Sequence, residues 1–308
     1  MSVNRTPLAV ATVLTLLVVT LGAFVRLSDA GLGCPDWPGC YGRMVVPDQA
    51  TLGGDAAHTR AWIEMIHRYA AGSLGMLVLF IAWRHRADRR TRLLSAALVG
   101  LLLLQALLGM WTVTLKLMPL AVMGHLLGGL FLLGLLWWWY LRRPPRPGAL
   151  GLVALLLLVL QIALGGWTSA NYAGIACPDL PTCQRQWWPD ADFRHAFTLP
   201  DAFNGSYQGG NHSGRARTAI HLSHRLGALA ALVAVGLYAG SLLRRPGLPR
   251  RGGLVLLAAL LLQWALGLTN VLLHLPLAVA VAHTAGAALL VLALLFAVRS
   301  AAAVPPST

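Results

Sequence analysis

Acidic residues are scarce in this sequence: ten Asp and Glu face 24 Lys and Arg over 308 residues, and Glu64 is the only glutamate. Charged residues make up 11% of the chain and apolar ones 57%, whereas a soluble domain carries roughly 25% charge. A water-soluble globular domain is therefore excluded. Cysteine is equally sparse, with four in all. None lies in a Cys-x-x-Cys-His run, which excludes covalently attached haem. The excess of positive charge, +14, could by itself suggest nucleic acid as a partner, so the placement of the charges has to decide.

The basic residues cluster between apolar runs: Arg84, Arg86, Arg89, Arg90 and Arg92, then Arg142, Arg143 and Arg146, then Arg244, Arg245, Arg250 and Arg251. With Arg5 and Arg299 they fall at alternate ends of the apolar segments, the pattern of loops held on the cytoplasmic side of a membrane. Nucleic acid is rejected on that ground. Runs able to span about 30 Å of hydrocarbon lie near 7–26, 60–83, 93–115, 119–140, 149–168, 218–243, 253–273 and 277–298. Eight spans with basic loops inside put both termini in the cytoplasm. The first run has the basic start and apolar core of a signal peptide, but a matching segment recurs later as an internal span, so it is read as a helix. Cys34, Cys40, Cys177 and Cys183 all fall in segments assigned to the outside, where an oxidising compartment permits disulfides. The economical pairing is Cys34 with Cys40 and Cys177 with Cys183. Every acid except Asp88 and Glu64 lies in these outer segments.

The chain repeats itself, and a repeat constrains architecture without outside knowledge. AGLGCPDWPGC at 30–40 returns as AGIACPDLPTC at 173–183. His67-Arg68 returns as His224-Arg225, and Gln105-Ala-Leu-Leu-Gly109 followed by His125 returns as Gln263-Trp-Ala-Leu-Gly267 followed by His283. Three blocks in the same order imply a duplicated four-helix unit. Four spans separate equivalent points, so the halves share one orientation and an inverted-repeat transporter is disfavoured. The fold class is an all-α polytopic membrane protein with eight transmembrane helices in two parallel-repeat four-helix bundles. Its parts are 1–140, a cytoplasmic linker at 141–148 (LRRPPRPG) and 149–308.

His67, His125, His224 and His283 each lie about six or seven residues below the outer start of a span, which at 1.5 Å per residue is roughly 10 Å deep. One such histidine is readily explained by hydrogen bonding between helices. Four at one depth, paired by the repeat, point to metal or haem, with one imidazole on each face of the iron. Zinc is disfavoured because no other His or Cys cluster sits at that depth to complete its ligand set. Arg68 and Arg225 are read either as snorkelling side chains or, with Arg26 and Lys116, as partners of haem propionates. The glycines near the histidines, Gly72, Gly75, Gly124, Gly128, Gly129, Gly227 and Gly286, receive no specific role.

The repeat breaks where Glu64 in the first half stands opposite His221 in the second, each three residues before a candidate ligand and so on its face of the helix. A lone carboxylate in a span is a candidate proton acceptor or charge stabiliser; the alternative is a buried carboxyl hydrogen-bonded to a neighbouring helix. With AGLGCPDWPGCYG at 30–42, Glu64-x-x-His67-Arg68, Gly124-His125, ACPDLPTC at 176–183, His224-Arg225 and His283, the sequence closely resembles the haem A synthase family over nearly all eight spans. The resemblance implies that His67 and His125 bind the substrate haem O, that His224 and His283 bind a haem b, that Glu64 is the catalytic acidic residue, and that Cys34 and Cys40 form the functional cysteine pair. It implies oxidation of the C8 methyl of haem O to a formyl group, giving haem A, with oxygen from water. It also implies work beside a haem O synthase and cytochrome oxidase assembly factors in the bacterial inner membrane, with membrane lipid around the chain and a homo-oligomer compatible. Residues 184–217, with Trp187 and Trp188, depart from that pattern. The four histidines alone equally permit a non-catalytic di-haem b electron-transfer cytochrome, and a parallel repeat permits a haem exporter.

Overall fold

The computed structural model describes residues 5–89, 91–142 and 147–301. Arg90, Arg143 and Arg146, and with them the middle of the linker at 141–148, lie outside the described residues. Among the described residues there are nine helices and no strand: α1 Thr6–Leu27, α2 Asp55–His85, α3 Arg92–Thr114, α4 Pro119–Leu141, α5 Ala149–Ala170, α6 Phe193–Ala196, α7 Gly214–Leu243, α8 Leu248–Leu272 and α9 Leu277–Ala301. All but the four-residue α6 are long and apolar enough to cross a membrane, and the chain is an integral membrane protein. Hydrocarbon offers no hydrogen bonds, so a spanning segment must satisfy its backbone internally, as a helix does. Polar side chains within a span obey the same rule. In α1, Thr12 and Thr15 donate to the carbonyls of Leu8 and Ala11 at 2.8 and 2.6 Å.

Helices α2 and α7 begin at Asp55 and Gly214, earlier than the apolar runs at 60 and 218. A helix continues beyond the apolar stretch wherever its first turn is capped or tethered. In α7 the Ser213 hydroxyl caps the helix, accepting from the Ala216 N–H at 3.2 Å.

The chain forms two compact units, 1–136 with 202–208 and 137–201 with 209–308. One boundary between these units falls inside α4. In the first unit α2 packs against α1 and α3. In the second α7 packs against α5, α6, α8 and α9. Arg299, assigned from sequence to a basic terminus, is buried in the last turn of α9 and donates to the Trp138 carbonyl. That carbonyl belongs to the last turn of α4, where no helical N–H remains to satisfy it.

The two cysteine loops are built alike. Each closes with an isolated bridge, Cys40 to Arg43 and Cys183 to Gln186. Each is folded around an aspartate: Asp36 accepts from the Tyr41 and Gly42 N–H groups at 2.6 and 2.7 Å, and Asp179 from those of Gln184 and Arg185 at 2.6 and 3.0 Å. The long connection 184–217 has structure of its own. Asp192 caps α6 and pairs with His195, Arg215 pairs with Asp190 at 2.8 Å, and the Trp167 indole N–H donates to the Ala196 carbonyl at 2.8 Å. Its segment 202–208 is part of the first unit, where the Tyr207 N–H donates to the Lys116 carbonyl at 3.0 Å.

Candidate haem-binding site

In the first unit the His67 and His125 rings face each other with centroids 6.5 Å apart and planes at 86°. Two imidazoles bound to opposite sides of one metal ion, each about 2 Å from nitrogen to metal, bring their ring centres to about 6 Å. The observed separation is of that size. Each ring rests on a glycine of the neighbouring helix: a Cβ on Gly22 of α1 would lie 3.1 Å from His67 Cε1, and one on Gly109 of α3 would lie 3.2 Å from His125 Cε1. In the second unit Gly165 of α5 stands 3.0 Å from His224 Cε1 by the same measure, and Gly267 of α8 stands 3.1 Å from His283 Cε1.

The residues present fit a haem. Nδ1 of His67, His125 and His283 is buried without a side-chain hydrogen-bond partner, which leaves these imidazoles available to a bound group. Among the described residues no group of three or more His, Cys, Asp or Glu could hold a metal ion. Two imidazoles per unit suit a group that brings further donors of its own, as a porphyrin does.

Glu64 is buried, and both of its oxygens are engaged. Oε2 accepts from the Cys34 backbone N–H at 2.8 Å, and Oε1 pairs with the Arg68 guanidinium. Arg68 also donates to the carbonyls of Asp36, at 2.8 Å, and of Gly39. In the second unit the His221 ring nitrogen Nδ1 accepts from the Cys177 N–H at 3.2 Å, and Arg225 donates to the carbonyls of Thr182 and Cys177 at 2.8 and 2.7 Å. Glu64 and His221 thus hold the first cysteine of their loops in the same way, and both arginines clamp loop carbonyls. Arg26 pairs with Asp29 at 3.9 Å, and Lys116 sits in the left-handed region with φ 47°. The disulfides join Cys34 to Cys40 and Cys177 to Cys183.

Three residues that the sequence reading left without a role stand beside the histidines. Gln161 Nε2 lies 3.0 Å from His224 Nδ1, Gln263 Nε2 lies 3.4 Å from His283 Nε2, and Gln105 lies against Gly128, one turn from His125. The available signal was Gln-x-x-Leu-Gly, which occurs at 105–109, 161–165 and 263–267.

The fold and site define a polytopic helical membrane protein with two histidines on the spanning helices of each of its two units, His67 and His125 being paired ring to ring. A family model described as "Cytochrome oxidase assembly protein" matches residues 5–295. Curated relatives named "Heme A synthase" include one from Shewanella oneidensis, 44% identical over 93% of both chains. Others are one from Rhizorhabdus wittichii, 28% identical over 94% of this chain and 91% of its own, and one from Caulobacter sp., 28% identical over 92% and 91%. The chain belongs to the haem A synthase family of cytochrome oxidase assembly proteins.

Proposed function

We propose that this chain oxidises the C8 methyl of haem O to a formyl group, yielding haem A for cytochrome oxidase biogenesis, with His67 and His125 holding the substrate. The observation that carries the reading is the His67–His125 pair, 6.5 Å apart and, among the described residues, without a third donor. Such a pair suits a macrocycle that arrives as substrate. The relatives' name supplies the product.

Two successive oxidations, each taking up one oxygen from water and releasing two electrons to an external acceptor and two protons, take CH3 to CH2OH and then to CH(OH)2, and loss of water leaves CHO. The chain's own residues would orient the substrate and handle protons. Glu64, on the His67 face of α2, is the one buried carboxylate among the described residues and is the candidate proton acceptor or charge stabiliser. Its bonds to Cys34 and Arg68 tie it to the loop closed by Cys34 and Cys40, so that loop and carboxylate act as one assembly. His224 and His283 would hold a haem b, which supplies a resident one-electron carrier.

In this reading residues 1–140 and 149–308 are parallel repeats joined by 141–148, with both termini cytoplasmic. The cysteine loops face the periplasm from the bacterial inner membrane. Arginines at the opposite helix ends and disulfides in the loops support that orientation. A haem O synthase and oxidase assembly factors are the expected partners.

The test is to identify the haems extracted from purified protein co-produced with a haem O source. Haem A or its alcohol intermediate is expected. Unchanged haem O beside haem B would overturn the reading in favour of a non-catalytic di-haem cytochrome.

A further inference from the structure

The four histidine sites are copies of one two-helix arrangement, and one copy differs. In all four a Leu-Gly pair on the first helix meets the histidine on the second: Leu21-Gly22 with His67, Leu108-Gly109 with His125, Leu164-Gly165 with His224 and Leu266-Gly267 with His283. One turn before the glycine stands Gln105, Gln161 or Gln263 in three copies, and Val18 in the fourth. Three residues after the histidine stands Gly128, Gly227 or Gly286 in the same three copies, and Ala70 in the fourth.

The two differences are one feature in space. A Cβ on Gly128 would lie 1.9 Å from Gln105 Nε2, one on Gly227 2.4 Å from Gln161 Oε1, and one on Gly286 2.4 Å from Gln263 Oε1. In each copy the glutamine side chain of the partner helix occupies space that a side chain at the glycine would need. Where the amide is missing the glycine is missing too, and Ala70 stands at its position.

We infer that Gln105, Gln161 and Gln263 are positioning residues that brace His125, His224 and His283 with a side-chain amide, and that Val18 leaves His67 the one ligand without such a side-chain brace, the one that yields when haem enters or leaves. A neutral imidazole that binds iron through one nitrogen carries a proton on the other, and an acceptor for that proton fixes the ring and raises its basicity. Gln161 and Gln263 lie within reach of ring nitrogens, and their Oε1 atoms are buried without another partner. A glutamine amide can present its oxygen to such an N–H. Gln105 is likewise buried with Nε2 unpartnered. The Val18 side chain has no polar atom to offer; its backbone carbonyl lies against the His67 ring as those of Gln105 and Gln263 lie against His125 and His283, so the copies differ in the side-chain amide alone.

The asymmetry falls where turnover requires it. A resident haem is served by two braced ligands, whereas a haem that must exchange is served by one that lets go. This step rests on the assignment of His67 and His125 to the substrate.

The experiment uses the purified, haem-loaded protein. The double variant V18Q/A70G rebuilds the missing glutamine and glycine, and Q161L removes a brace. Carbon monoxide added to the dithionite-reduced parent should bind at the His67 pair, and V18Q/A70G should slow that binding roughly 10-fold or more, the scale of lost or gained outer-sphere partners. Q161L should raise the midpoint potential of the other haem and open it to carbon monoxide, while Q161E, which keeps an acceptor, should do neither. Parental carbon monoxide kinetics in V18Q/A70G, or a parental potential in Q161L with haem retained, would overturn the inference. Loss of haem from Q161L with retention in Q161E supports it; loss from both shows a packing role and overturns it. If V18Q/A70G slows carbon monoxide binding yet the parent makes no haem A, the substrate assignment fails while the ligand asymmetry stands.

Discussion

Glu64 and His221 show how one position can serve a common task and a private one. Both accept the N–H of the first cysteine in the adjoining loop, so the shared task is to hold that loop on its helix. Only Glu64 adds a carboxylate, paired with Arg68. Glu64→Gln keeps an oxygen for the Cys34 N–H and leaves all four imidazoles in place, so protein yield and haem content should match the parent. Haem A formation should nevertheless fall by roughly 10²-fold or more, the contribution of a positioned acid–base group. Extracted haem per mole of protein, measured beside haem A yield, separates the two tasks. Parental haem A production in Glu64→Gln would leave the carboxylate with the loop task alone. His221 substitutions should weaken the second loop and spare haem A yield. For the resident site, His224→Ala or His283→Ala should abolish the low-spin b-type spectrum while the protein stays inserted. Retention of that spectrum in both variants would remove the haem b assignment.

At the scale of elements, the cysteine loops depend on carboxylates with lowered pKa. For Asp36, slight burial opposes the shift, but the Gly42, Tyr41 and Asp36 backbone N–H groups and the Arg68 charge outweigh it and hold the carboxyl below its ordinary value. For Asp179 the Thr182 hydroxyl contributes most; burial opposes it, and the Arg185, Gln184 and Asp179 backbone N–H groups add to the lowering. A depressed carboxylate stabilises the folded loop above its unfolded pKa, and that contribution is lost as pH falls through the folded value. Acidification through and below the ordinary carboxylate range should therefore speed amide exchange at Tyr41, Gly42, Gln184 and Arg185 before the spans respond. Equal exchange at neutral and acid pH, corrected for intrinsic rates, would contradict this. Non-reducing peptide mapping should recover Cys34 linked to Cys40 and Cys177 linked to Cys183, and a Cys34–Cys177 product would overturn the loop architecture.

For the whole molecule, the proposed orientation makes a sidedness prediction. The four native cysteines are buried, so the probe is a cysteine placed in the exposed part of the outer connection: Trp187→Cys and Trp188→Cys should be labelled by a membrane-impermeant thiol reagent in intact cells. Protease added to inverted vesicles should cut near Arg244 and Arg245 and leave the cysteine loops intact. Labelling of the introduced cysteines only in inverted vesicles would reverse the topology. The connection 184–217, which the family pattern left without a place, illustrates what assembly adds: its segment 202–208 joins the first compact unit and pairs Tyr207 with Lys116.

The sequence by itself determined the eight spans, since crossing hydrocarbon demands long apolar helices whatever their neighbours are. It also marked the four histidines and the cysteine pairs, because polar groups stand out against an apolar background and the duplication repeats them in order. Tertiary structure alone decided what those groups touch. That Arg68 and Arg225 clamp loop carbonyls, that Glu64 and His221 hold equivalent backbone donors, and that three glutamines sit against glycines beside histidines are all contacts between segments distant in sequence. The pattern of apolar residues records which face of a helix is buried, but the partner across that face is chosen only when the helices pack.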